Sequence, residues 1–129
     1  MLALEPLRGL RVVASAGALD AAVWSGDAVT VVRFAPDEAF GIGSTAVDVD
    51  DPDAVVEAEA GFVGARLERF QVSVDLAAHT DWVLPDEPAI LAQGKIAGVP
   101  VKLLTGEPAL LITQAAYADE LARRLDCIE

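Results

Sequence analysis

Short apolar runs alternate along this chain with breaks made of Gly, Pro and acidic residues, which is the pattern of strands joined by turns. Residues 1–26 carry the weakest signal. Leu10–Ala14 predicts a short strand, and Gly17–Trp24 is too short and Ala-rich for its period to separate helix from strand. Ser25-Gly26-Asp27 reads as a turn, because Gly accepts positive φ and Ser and Asp bond their own backbone. Val29–Phe34 is β-branched and aromatic and predicts a strand. Ala35-Pro36-Asp37-Glu38 turns the chain, and Ala39–Gly43 returns as the second arm of a hairpin.

The next stretch is mixed. Ala46–Asp53 sets Val47 and Val49 between acids and breaks at Pro52, and Ala54–Glu59 suits a strand or one helical turn. Gly61–Leu67 predicts a strand thinned by glycines and running to about Phe70, followed by a helix from Val74 with Ser73 as its cap and Asp75 near its positive end. Two prolines make residues 81–88 a loop. Ala89–Ile96 and Val99–Leu104 predict strands joined by Ala97-Gly98, and a third strand, Ala109–Thr113, follows the Thr105–Pro108 turn. A helix then runs from Gln114 to about Leu125, with Thr113 as its cap. Tyr117, Leu121 and Leu125 make its apolar face, and Asp119/Arg123 and Glu120/Arg124 are acid-first i,i+4 pairs. The predicted class is α+β: a small, mostly antiparallel sheet with few short helices and a C-terminal β-β-β-α meander, in a single domain over residues 1–129.

Composition narrows the partners. The net charge is −12, from 21 acids against 9 Lys and Arg, which opposes nucleic-acid phosphates and anionic lipid. No apolar run approaches the roughly 18 residues that span a bilayer, and Met1–Pro6 has no secretory-signal pattern, so the expected location is the cytoplasm. Cys127 is the sole cysteine, which leaves no disulfide framework and reads as an inert thiol. Apolar residues make up 53% of the chain, more than a domain this small needs inside, so a protein partner or self-association is expected to cover the excess.

Candidate chemistry is sparse. Gly41-Ile42-Gly43-Ser44 has neither the third glycine of a dinucleotide fingerprint nor a P-loop Lys, and reads as turn or strand. The acids Asp48, Asp50, Asp51 and Asp53 break EF-hand order at Pro52, so they read as a solvated loop, with no metal assigned. Glu57, Glu59, Asp75 and Asp86 supply acids without a defined pair, and His79 reads as a helix-end residue. No catalytic residue and no cofactor is assigned. Lys95 and Lys102 are the only lysines. Lys95 and Gln93, beside the glycines of the clearest hairpin, with Trp82 as an aromatic wall, form the candidate ligand site for a carboxylate or phosphate.

Two blocks carry a family resemblance. Val31–Glu38 resembles the strand and Pro-Asp-Glu turn of the gamma subunit of heterotetrameric sarcosine oxidase. Leu91–Leu103, Ala109–Thr113 and Ala116–Leu121 are similar to that subunit's closing strand, Gly-Val-Pro hairpin, strand and helix. That subunit is itself related to the folate-binding domains of the glycine-cleavage aminomethyltransferase. The resemblance implies an α+β domain without catalytic residues of its own, serving as a subunit or interaction domain while other subunits carry flavin, nicotinamide and folate. The alternatives are a stand-alone domain binding a folate-like or other anionic molecule, and an enzyme using a carboxylate with His79.

Overall fold

The structure is a computed structural model that describes residues 2–126; Cys127 lies outside the described residues. Seven strands form one sheet: β1 (Glu5–Val13), β2 (Val23–Ala35), β3 (Glu38–Asp48), β4 (Val55–Leu67), β5 (Leu91–Ile96), β6 (Val99–Leu104) and β7 (Ala109–Gln114). Their hydrogen-bonded order is β2-β3-β1-β4-β7-β6-β5, and pairing is antiparallel. The helices are short: α1 (Ala16–Asp20), a π-helix (Gln71–Leu76), 3₁₀ turns at Ala77–His79 and Ala115–Tyr117, and α2 (Ala118–Arg124). This is the α+β class and the closing β-β-β-α order that the sequence predicted. The chain divides into two compact units, Leu7–Gly61 and the residues flanking that segment.

In the Leu7–Gly61 unit, β2 and β3 form the predicted hairpin, closed at Ala35↔Glu38 around Pro36-Asp37. Ser25-Gly26-Asp27 does not reverse the chain. It opens a bulge inside β2, where the register jumps from Gly26↔Ser44 to Thr30↔Ile42. Gly26 (φ 151°) and Ala28 (φ 51°) absorb the bend. Gly41-Ile42-Gly43-Ser44 lies within β3, so it is strand and not a phosphate loop. A side chain at Gly41 would collide with the Trp24 ring. Val12, Ala14, Leu19 and Ala39 make the core here.

Two arginines tie this unit together. Arg11 donates from Nε to Glu38 (2.9 Å) and from Nη1 to Glu59 (3.2 Å), and its guanidinium stands 6.0 Å from the Phe34 ring centre. The Glu38 hydrogen bond raises the Arg11 pKa, so the cation is fixed. Arg33 donates to Asp20 (2.8 Å) and to the carbonyls of Ala16 (3.0 Å) and Pro36 (3.1 Å), joining α1 to the hairpin turn.

The other unit is built on the β5–β6 hairpin. Its two-residue turn has positive φ at both centres, Ala97 (51°) and Gly98 (79°), which matches the twist of the flanking strands. Arg124 donates to the Ala97 carbonyl, pairs with Glu120 and covers Gly98. Ala109–Thr113 of β7 are all buried, which takes up part of the apolar excess. Leu67, Leu76, Leu103, Leu111, Leu121 and Leu125 anchor the core.

Three predicted boundaries shift, two with a hydrogen bond and one with a backbone bend. Strand β4 stops at Leu67, and the helical turn opens at Arg69 instead of Val74. There the Val72 N–H donates to the Glu68 carbonyl (3.1 Å) and the Gln71 side chain accepts from the Glu68 N–H (2.8 Å), half of a capping box. Ser73 and Asp75 therefore lie inside the helix, Ser73 not as its cap. At the C-terminal end the Thr113 hydroxyl donates to the Pro100 carbonyl (2.9 Å) and caps nothing. The chain leaves β7 after Gln114 through a 3₁₀ turn. Strand β5 begins at Leu91, since Ala89 (φ 61°) is still turning.

Asp51 is the structural member of the acidic run. Its carboxylate accepts from the Ser15 N–H (2.8 Å) and the Asp53 N–H (2.9 Å), and the Ser15 bond chiefly lowers its pKa. A lowered folded-state value gives stability that is present above the unfolded aspartate pKa of about 3.9 and is lost as pH falls through the folded value. Acid unfolding followed by circular dichroism is therefore expected to be steeper for the wild type than for Asp51→Asn below that pH. Identical pH profiles would show that these two bonds do not stabilise the fold.

Candidate functional site

Trp82 was predicted to share a site with Gln93 and Lys95, and strand parity separates them. Successive residues of β5 face opposite sides. A Cβ on Gly94 would stand 2.8 Å from the Trp82 ring, so the indole occupies the face of residue 94. Gln93 and Lys95 project to the other face and are exposed. On that face Lys102, directly opposite in the register, donates to Gln93 Oε1 at 3.0 Å. Trp82 meets Lys95 only through its backbone: the indole N–H donates to the Lys95 carbonyl at 2.8 Å.

What Trp82 does border is a cleft of about 680 Å³ within this unit. The helical turn supplies Arg69, Val72, Ser73 and Ala77; residues 82–86 and Pro88 form a second wall; Thr105, Gly106, Glu107 and Ala109 form the third. The wall positions are fixed from below. The Thr105 hydroxyl accepts from the Ile90 N–H (2.8 Å) and donates to the Glu87 carbonyl (2.6 Å), so it holds the loop to the end of β6. The Ala97 N–H donates to the His79 carbonyl (2.8 Å), which ties the end of the helical segment to the hairpin tip.

The lining is mainly apolar, with one cation and two carboxylates among its charged groups, Arg69, Asp86 and Glu107. Arg69 and Asp86 approach to 3.6 Å with side chains 70% and 86% exposed. A pair this open contributes at most about 1 kcal/mol and is free to exchange partners. Three large apolar side chains stand open to solvent in the same unit. Val83 in the loop is 92% exposed, and Phe70 and Val74, four residues apart on the helical turn, are 63% and 52% exposed.

The remaining predicted groups sit elsewhere. His79 is not among the cleft residues. Glu59 is engaged by Arg11 and by the Gly61 N–H (3.0 Å). Among the described residues, no three His, Cys, Asp or Glu side chains converge as a metal site, and no helix is long and apolar enough to cross a membrane. Sequence reasoning found Trp82 and missed Arg69, Val72 and Val83. The available signal was Val83-Leu84 held between Trp82 and Pro85, an apolar pair in a loop where polar residues are the rule.

No protein-family model, curated protein or solved structure matches the chain.

The Trp82 seat is testable. Gly94→Ala places a methyl 2.8 Å from the ring, and the indole must leave. The variant is expected to lose about 1–3 kcal/mol in chemical denaturation, the usual cost of overpacking, and its tryptophan emission is expected to shift to the red. Unchanged emission and stability would show that the ring does not depend on this glycine.

Proposed function

We propose that the chain is a non-catalytic interaction module and that the cleft bordered by Trp82 is its docking surface. The observation that carries this reading is exposed apolar surface at and near the cleft: Val83 in its lining, and Phe70 and Val74 on the helical segment that also supplies Arg69, Val72 and Ser73. Exposed large apolar side chains gathered in one short segment favour protein contact, and a small molecule filling the cleft would leave Phe70 and Val74, which do not line it, in water. The net charge of −12 disfavours a nucleic-acid partner. A place beside larger subunits, as the resemblance to the sarcosine oxidase gamma subunit implies, belongs to this proposal.

Val83 is nearly fully exposed, so Val83→Asp leaves the fold intact while placing a charge at the centre of the contact. The wild-type chain is expected to run as an assembly larger than 13.5 kDa, or to retain a stoichiometric protein from native extract. Val83→Asp is expected to weaken that association at least tenfold. Equal association by both chains, or no association by either, overturns the reading.

A second reading, a site for a folate-like or other anionic molecule, is supported by the volume of about 680 Å³, which falls in the range of small-molecule sites. Arg69, the cation in the cleft, replaces Lys95 as its anchor. Folate is then expected to raise the thermal midpoint of the wild type and of Lys95→Ala but not of Arg69→Ala. No rise in the wild type ends this reading for folate.

A further inference from the structure

We infer that the docking surface takes a second copy of this chain, related by a two-fold axis; this rests on the interaction reading above. A two-fold contact needs a patch that is complementary to itself, because the same residues face each other from both sides. This patch has the two halves of such a fit side by side. The cleft is the hollow, with Val72, Ala77 and Trp82 in its walls, and Val83 at its lip is the projection. Seating Val83 of each copy in the cleft of the other removes from water the most exposed large apolar side chain described.

The charges fit the same symmetry. Arg69 and Asp86 are one cation and one anion on the rim, loosely joined at 3.6 Å and both largely exposed. Across a two-fold axis the guanidinium of each copy meets the carboxylate of the other, and the two loose pairs within the chains are exchanged for two pairs between them. A partner with a uniformly basic surface would leave Arg69 opposed, and a uniformly acidic one would face Asp86 and Glu107. Repulsion between two chains of net charge −12 works against association. It is screened at physiological ionic strength, where the Debye length is about 8 Å.

The test is sedimentation of the full chain at physiological salt across the micromolar range, with three variants. The wild type is expected to reach twice 13.5 kDa, and Val83→Asp to remain at 13.5 kDa. Arg69→Glu and Asp86→Arg are each expected to dimerise at least tenfold more weakly, because each sets like charges across the axis. Mixed in equal amounts, these two variants are expected to recover the dimer, as the mixed pair alone has opposite charges at both contacts, and native mass spectrometry reads its composition. A monomeric wild type, a dimer indifferent to Val83→Asp, or a mixture that stays monomeric overturns the inference. If Arg69→Glu or Asp86→Arg does not fold, the Val83→Asp result decides alone. A monomeric wild type that still retains another protein from extract, and loses it in Val83→Asp, would leave the docking reading standing while removing the second copy as its occupant.

Discussion

The unit that carries the cleft depends on an indole seated on a glycine. Gly94 has no side chain, so the Trp82 ring reaches the backbone of β5 and its N–H meets the Lys95 carbonyl. A half-buried indole removes on the order of 100 Å² from water, which stabilises by about 2–3 kcal/mol. A single hydrogen bond contributes about 1 kcal/mol net. The ring contact therefore holds the loop, and the hydrogen bond sets its orientation. Strand β5 ends the sheet order, so the same bond also satisfies an edge carbonyl that would otherwise be open to another strand.

The Leu7–Gly61 unit uses the same device with different neighbours. Trp24 lies against Gly41 there, so each tryptophan of the chain rests on a strand glycine. Glycine weakens a strand when nothing packs on it, and at these two positions a ring takes the place of the missing side chain. Polar anchoring then differs between the units. Arg11 and Arg33 collect carboxylates and carbonyls around the hairpin, whereas Thr105 and the Ala97–His79 bond hold the loop walls of the cleft.

The regular elements were legible where local chemistry and pairing agreed. Pro36-Asp37 and Ala97-Gly98 have turn residues at the centres and β-branched or apolar runs on both sides, and both form hairpins. Legibility failed where a distant or side-chain partner decided the outcome. Ser25-Gly26-Asp27 has turn composition, but β3 continues past it on the far side, so the irregularity is absorbed as a bulge. The helix opens early because Gln71 reaches back to Glu68, a bond with no period to betray it. At the candidate site, Trp82 was legible as an aromatic held among prolines. Gln93 and Lys95 were grouped with it by closeness in sequence, and the two-residue period of a strand places them on the opposite face. The other cleft walls come from segments more than twenty residues apart along the chain, and proximity of that kind leaves no trace in local pattern.

Ala28, Ala89 and Ala97 all hold positive φ, a conformation that costs an L-residue about 1 kcal/mol or more relative to glycine. Each sits at a bend where glycine or asparagine is the usual choice. In evolutionary terms these are unspent substitutions. A lineage that acquires a destabilising change in the cleft lining can recover its loss at a bulge or turn outside it, so the lining is free to diverge while the strands stay the same.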